Sequence, residues 1–157
     1  MVIKIIAVGK IKEKYWSMAI EEYLKRLSKY CKIEVLEIEE EKISIENESY
    51  QLIAKEKEGQ RILKKLEGSQ KTILLDLRGK ELDSLAFASF LDKIKNESST
   101  ICFIIGGSYG VSEEVCQKAD YVLSFSRLTF PHQLFRVLLC EQIYRAFKIL
   151  NNEKYHK

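Results

Sequence analysis

Apolar and polar residues alternate along the chain in a pattern that predicts short strands separated by helices. Five apolar runs have the length of strands, and they cover residues 2–8, 33–38, 72–77, 101–105 and 121–124. Between them, apolar residues recur every three or four positions, which predicts helices over about residues 16–27, 48–66 and 84–95, and a short helix from Ser112. Strands that alternate with helices favour a mostly parallel sheet with helices on both faces. The pattern therefore predicts one α/β domain over residues 1–157.

The last predicted helix, residues 133–150, differs from the others because apolar residues occur nearly all round it. A helix of this kind has to be buried on every side. In a domain of 157 residues, one side would pack on the sheet and the other would remain for a partner. We therefore predict a homodimer through this helix, and burial within a single chain is the alternative.

Composition is typical of a globular protein, with 46% hydrophobic and 31% charged residues. The longest apolar runs, such as residues 101–105, are too short to cross a bilayer, and the N-terminus lacks the features of a signal peptide. We expect a cytoplasmic protein without a membrane partner. The cysteines, Cys31, Cys102, Cys116 and Cys140, show no metal-binding spacing, which predicts reduced structural thiols and no metal site.

Positive charge is concentrated towards the C-terminus. The net charge is +3, with 20 Lys and Arg against 21 Asp and Glu in residues 1–120, and 6 against 2 in residues 121–157. A local basic surface suits a partner with a phosphate backbone, such as RNA. The alternative is a solvated helix face with a basic tail.

Three predicted strands end in loops that are candidates for ligand binding, because ligands of open parallel sheets lie beyond the carboxyl ends of the strands. The third, fourth and fifth strands lead into LLDLRGKELDS, FIIGGSYGVSEE and LSFSRLTFPHQ. In the second of these loops, Gly106, Gly107 and Gly110 lack Cβ atoms, so a flat ligand would be able to approach the backbone closely.

The start of the next helix narrows the ligand class. Ser112 has the character of an N-cap, and Glu113 and Glu114 would repel a phosphate at the positive end of the helix. The spacing GGxxG differs from the dinucleotide fingerprint, and the chain has no P-loop sequence. A ligand without phosphate, such as the cationic sulfonium S-adenosylmethionine, fits better. The alternative is a tight turn that binds nothing.

The only proline and one of the two histidines are adjacent, in LTFPHQLF at residues 128–135. Pro131 suits the first turn of the last helix and favours an extended Phe130, which predicts a stiff elbow at Thr129 and Phe130. His132 would lie in the first helical turn, where the helix dipole favours a neutral imidazole. A capping or packing role for His132 is the alternative to catalysis.

Four stretches together carry a family resemblance: LLDLRGK, FIIGGSYG, LSFSRLTFPHQLFRVLLCEQIYRAFKI and the terminal YHK. They resemble the RlmH-type family of SPOUT methyltransferases, and the resemblance runs the full length of the chain. That family methylates N3 of a pseudouridine in 23S ribosomal RNA of the assembled ribosome. The resemblance implies a SPOUT α/β fold with a C-terminal trefoil knot, a homodimer, S-adenosylmethionine as cofactor, and no metal.

The resemblance also implies the cofactor-binding residues, and the chemistry of the reaction suggests catalytic candidates. The expected cofactor-binding residues are Leu75, Gly106, Phe125, Ser126, Arg127, Leu128, Thr129 and Phe130. The expected catalytic candidates are His132, Arg136, Tyr155 and His156. We expect the tail to close over the target base, with Tyr155 stacking on it and His156 near the reacting nitrogen; a disordered end is the alternative.

The basic residues expected to contact phosphates are Arg127, Arg145, Lys10, Lys12 and Lys14. N3 is an imide nitrogen that must lose its proton, so a neutral histidine or a nearby cation would assist the reaction. Two other function classes are considered. One is a non-catalytic homodimer with a SPOUT fold that binds RNA or the ribosome. The other is a Rossmann-like oxidoreductase, which the glycine spacing and the acidic helix start disfavour.

Overall fold

The order of strands and helices agrees with the predicted alternation. A computed structural model describes residues 1–66 and 70–155. Within these residues the strands are β1 (Val2–Val8), β2 (Lys32–Ile38), β3 (Lys71–Glu81), β4 (Thr100–Ile105) and β5 (Tyr121–Ser124). The helices are α1 (Lys14–Leu27), α2 (Glu48–Leu63), α3 (Ser84–Glu97), α4 (Glu113–Lys118) and α5 (His132–Leu150).

The described strands form one parallel sheet in the order β2-β1-β4-β3-β5. Successive residues of a strand point to opposite faces, so the apolar runs supply two cores. Ile3 and Ile5 of β1 face the core that α1, α3 and α5 cover. Ile6 and Val8 face the smaller core, which α2 and α4 cover. The predicted α/β sheet with helices on both faces is confirmed.

The largest departure from the prediction is in β3, which continues to Glu81 instead of ending at residue 77. Leu75 pairs with Leu123 of β5, and Lys80 then pairs with the same Leu123, so residues 76–79 bulge out of the ladder. A Cβ atom at Gly79 would lie 2.4 Å from the backbone carbonyl carbon of Leu123. Residues 76–81, which we call the β3 arm, therefore lie directly against the backbone of β5.

Helix α5 lies on the sheet between α1 and α3 and packs against both. Its innermost apolar residues, such as Leu139 and Ile143, are fully buried. Val137, Leu138 and Ile149, on its other sides, are half-buried within this single chain. Contacts with α1 and α3 thus bury much of the apolar surface of α5 that, from sequence, we expected a second subunit to cover. The homodimer and the trefoil knot stay predictions.

The described residues also bear on thiols, metals and membranes. None of the four cysteines forms a disulfide, and burial raises the pKa of the Cys31 thiol to about 11 and that of Cys140 to about 12. These are the properties of structural thiols. No cluster of His, Cys, Asp and Glu suited to a metal ion occurs in residues 1–66 and 70–155. In the same part of the chain, no helix combines the length and the apolar character that a membrane span requires.

Candidate active site

A cavity of about 580 Å³ lies at the carboxyl edge of the sheet, where β3, β4 and β5 end. The three loops predicted to bind a ligand form most of its wall. The predicted cofactor-binding residues that line it are Leu75, Gly106, Phe125, Ser126, Leu128, Thr129 and Phe130. Arg127 is the exception, because its side chain is 93% exposed and lies 3.7 Å from Glu81.

The glycine turn, residues 106–110, packs so closely on its neighbours that two of its glycines are needed for internal packing. A Cβ atom at Gly106 would lie 2.8 Å from Val111 Cγ1, and one at Gly107 would lie 2.6 Å from Glu58 Oε2. The protein itself fills the space next to these two glycines, whereas a Cβ at Gly110 would meet no atom within 4 Å. All three glycines line the cavity, and the close approach of a flat ligand stays a prediction. Gly110 has a φ of +83°, which favours glycine, and its N–H donates to the carbonyl of Gly107 at 3.0 Å.

The segment between β5 and α5, residues 125–131, is held by short-range hydrogen bonds and aromatic contacts. Ser124 Oγ donates to the carbonyl of Ser126 at 2.9 Å, and the Leu128 N–H donates to Ser126 Oγ at 2.9 Å. Phe130 stacks on Phe135 of α5 with 6.1 Å between ring centroids. These contacts fit the stiff elbow that the sequence predicts.

Pro131 occupies the N-cap of α5 rather than its first turn, as its extended ψ of 135° shows. The helix begins at His132, and the carbonyl of Pro131 accepts the first helical hydrogen bond, from the Phe135 N–H at 2.9 Å. The proline lacks the N–H that this position would leave without a helical partner. Its rigid φ therefore sets the direction in which α5 leaves the elbow segment.

His132 is half-buried in the first turn of α5 and lines the cavity. Burial lowers the pKa of its imidazole; the Glu40 carboxylate opposes this effect and the Arg136 cation adds to it. The imidazole is thus favoured in its neutral form, as predicted, although burial is the main cause.

Arg136 does not line the cavity; its side chain is only 2% exposed. Its Nη2 donates to the carbonyl of Val8 at 2.8 Å and to that of Gly9 at 2.7 Å. Its Nη1 donates to Glu37 Oε1 at 3.1 Å, and that oxygen also accepts the Ile11 N–H at 2.9 Å. These are the contacts of a residue that joins α5 to the ends of β1 and β2.

Tyr155 follows the end of α5 and does not line the cavity. It packs back against the C-terminal half of that helix. Its ring packs edge-on against Tyr144 at 4.9 Å, and its hydroxyl donates to Glu141 Oε1 at 3.2 Å. Burial is the main reason that the pKa of Tyr155 rises to about 12. Tyr144 is nine residues from the cavity-lining Phe135, which is about 14 Å along the helix axis. His156, the other tail candidate, lies outside the described residues.

Several lining residues were not predicted. Leu52, Lys55 and Glu56 of α2 border the cavity, and Cys116 of α4 also lines it. Nothing in the local sequence of α2 marks it as part of a site. Its position follows from the strand order, which only the folded chain reveals.

The charges that line the cavity are mixed. The lining carboxylates are Glu56, Asp76 and Glu113, and the lining cations are Lys55 and Arg78. Arg78 pairs with Asp76 through two hydrogen bonds of 2.9 and 3.0 Å, which lower the pKa of that carboxyl. This pair neutralises one cation and one carboxylate, and the remaining Glu56 and Glu113 against Lys55 leave little attraction for a polyphosphate. Apolar walls combined with carboxylates suit a flat ligand that carries a positive charge.

The fold and the cavity thus define an α/β protein with a cavity of ligand size at the carboxyl edge of a parallel sheet. Comparison with known proteins identifies its family. Residues 1–156 match the model of a family described as a predicted SPOUT methyltransferase. The chain belongs to the SPOUT methyltransferase family.

Curated relatives are similar over their full length. The chain is 51% identical over 159 residues to ribosomal RNA large subunit methyltransferase H 1 of Clostridium perfringens (strain SM101 / Type A), with 100% of both chains covered. It is 52% identical over 162 residues to ribosomal RNA large subunit methyltransferase H of Clostridium botulinum (strain Kyoto / Type A2), again with 100% of both covered. These relatives favour neither the oxidoreductase nor the non-catalytic alternative.

A solved structure supports the fold. A probable methylase family protein from Haemophilus influenzae Rd KW20 superimposes with a TM-score of 0.52 and 17% identity. The match covers 96% of this chain and 66% of that chain. At this identity the likeness concerns the fold alone.

Proposed function

We propose that this methyltransferase uses S-adenosylmethionine to methylate N3 of a pseudouridine in 23S ribosomal RNA of the assembled ribosome. One observation carries the proposal: seven of the eight residues assigned to cofactor binding from sequence meet in one cavity. The curated relatives, named as ribosomal RNA large subunit methyltransferases, support the substrate class.

The residues of the cavity fit the proposed cofactor. Leu75, Leu123 and Phe130 offer apolar surface for an adenine ring, and Glu56 and Glu113 offer negative charge to a sulfonium or an ammonium group. When bound, S-adenosylmethionine supplies a methyl group on a positively charged sulfur. The elbow segment and the glycine turn orient the cofactor and limit the access of water.

His132 is the residue of this cavity best suited to manage a proton near neutral pH, because burial favours its neutral form. A neutral imidazole is able to accept the N3 proton of the target base. Arg136, by contrast, directs all three of its hydrogen bonds to the ends of β1 and β2. We therefore assign Arg136 a structural role, in which it attaches the N-terminal part of α5 to the sheet. His132 stays a catalytic candidate.

The tail contributes through a homodimer. Tyr155 is attached to Glu141 and Tyr144, and the two residues that follow it span at most about 7 Å. Tyr155 is therefore held outside the cavity of its own subunit. Half-buried apolar residues of α5 provide a surface for a second copy, so the Tyr155 and His156 region of one subunit serves the cavity of the other.

Two experiments test the proposal. Calorimetric titration is expected to show binding of S-adenosylmethionine and S-adenosylhomocysteine and none of NADH. Methyl transfer to ribosomes is expected only when the pseudouridine is already in place. Binding of ribosomes without any methyl transfer would instead support the non-catalytic alternative.

The role of the tail is tested separately. Deletion of residues 155–157 is expected to abolish methyl transfer while the cofactor still binds and the dimer persists in size-exclusion chromatography. Unchanged methylation by an intact dimer would refute the role assigned to the tail.

A further inference from the structure

Glu58 is a buried glutamate behind the glycine turn. It lies on α2, is 3% exposed, and does not line the cavity. Its Oε1 accepts the Glu41 N–H at 2.9 Å. Its Oε2 is buried and has no hydrogen-bond partner among residues 1–66 and 70–155. An ionised oxygen in such a position is costly because nothing replaces its lost hydration.

The second oxygen of Glu58 faces the glycine turn. It lies 2.6 Å from where a Cβ of Gly107 would be, so the carboxyl group fills the space next to that glycine. The neighbouring Gly59 packs equally closely on Ser112, since a Cβ there would lie 2.2 Å from Ser112 Oγ. Gly107 and Ser112 both line the cavity. Helix α2 therefore supports the cavity wall from behind through two adjacent residues.

Several charged groups surround Glu58. Burial raises the pKa of its carboxyl, and the nearby Glu40 and Glu41 carboxylates act in the same direction. The Glu41 N–H and the Arg61 cation oppose them. Arg61 is itself paired with Glu41 at 2.6 Å, which reduces the charge that it offers to Glu58. On the side of the glycine turn, Tyr109 is the titratable group that interacts with Glu58.

We propose that Glu58 is a positioning residue for the cofactor cavity, which in its protonated form supports the glycine turn and on ionisation loosens it. The proposal rests on the proposed function, because it describes the regulation of the same cavity. The neutral carboxyl group places no uncompensated charge behind Gly107. The ionised form favours movement of the turn that brings water or a donor to Oε2, and that movement deforms the cavity wall.

Glu58→Gln tests this, because the amide keeps the shape of the side chain and remains neutral at every pH. Binding of S-adenosylhomocysteine is measured by calorimetry between about pH 5 and about pH 8. We expect the affinity of the unchanged protein to fall as pH rises, by up to roughly tenfold for each unit by which the pKa is raised. We expect Glu58→Gln to bind with an affinity that varies much less with pH.

Glu48→Gln is the matched control, because Glu48 is an exposed residue of the same helix and should leave the pH profile unchanged. Amide hydrogen exchange at residues 106–110 gives a second readout that needs no ligand. Exchange there should quicken as pH rises, beyond the intrinsic rate, in the unchanged protein and not in Glu58→Gln.

The two readouts separate the two proposals. If S-adenosylhomocysteine fails to bind the unchanged protein, the proposed function is wrong, and amide exchange still decides the role of Glu58. If exchange at the turn has the same pH dependence with Glu and with Gln at position 58, the role of Glu58 is wrong even when the cofactor binds.

Discussion

Replacing Arg136 with methionine should destabilise the fold rather than remove a group that touches substrate. Methionine fills similar space but leaves the carbonyls of Val8 and Gly9 and the Glu37 carboxylate without their donor. Hydrogen bonds that involve a charged group contribute about 1.5–3 kcal/mol each, so the two to the carbonyls of Val8 and Gly9 account for roughly 3–5 kcal/mol. The Glu37 side chain is 34% exposed, so water replaces its lost donor and its contribution is small. For a domain of this size, the unfolding midpoint should fall by roughly 6–20 °C.

Thermal unfolding followed by circular dichroism measures this change. Arg26→Met is the control, because Arg26 forms an exposed pair with Glu22 on α1 and its loss should leave the midpoint nearly unchanged. Methyl transfer is then assayed well below both midpoints, where we expect Arg136→Met to keep cofactor binding. A variant that unfolds at the original temperature yet has lost methyl transfer would refute this reasoning and restore Arg136 to the catalytic candidates.

Three further predictions concern the β3 arm, the C-terminal turn and the buried thiols. Gly79→Ala should cost at least about 1–3 kcal/mol and weaken cofactor binding, because its Cβ would meet the Leu123 backbone at 2.4 Å; an unchanged midpoint and affinity would contradict the close crossing. Hydrogen bonds from Lys148 and two other donors lower the pKa of Glu153 from its ordinary 4.5 to about 2. The stability that this carboxylate adds is therefore complete above pH 4.5 and is lost as the pH falls towards 2. Glu153→Gln should therefore lose less stability than the unchanged protein as the pH falls below 4.5, measured by unfolding at several pH values. Equal losses of stability in the two proteins would contradict this role of Glu153. Cys140, whose thiol pKa burial raises to about 12, should resist alkylation at about pH 8 until urea is added, and rapid labelling of the native protein in a mass spectrum would show that α5 opens.

The elements of the fold could be predicted because their signals are local. An apolar run of four to seven residues or a period of three to four depends only on neighbours in the chain. The β3 arm could not be predicted in this way. Residues 78–81 are polar and glycine-containing, and they continue as strand only because Leu123 of β5 lies beside them. Contact with a distant strand outweighs the local preference there.

The candidate site shows the same limit. Family resemblance and the strand ends were sufficient to predict most of the lining, such as Leu75 and Phe130. The structural role of an individual residue was harder to predict. A glycine that leaves room for a ligand and a glycine that leaves room for the Glu58 side chain look alike in sequence. Arg136 poses a similar problem, since its partners Val8 and Glu37 are about a hundred positions away along the chain.

The strand order β2-β1-β4-β3-β5 has a consequence for the synthesis of the protein. Both neighbours of β3 follow it in the chain, so a nascent chain that ends after α3 contains the β1–β2 pair and an isolated β3. Such an apolar strand, with both edges unpaired, is prone to associate with other chains. The central part of the sheet forms only when β4 arrives to join β1 to β3, so folding has to wait until about two thirds of the polypeptide has been made.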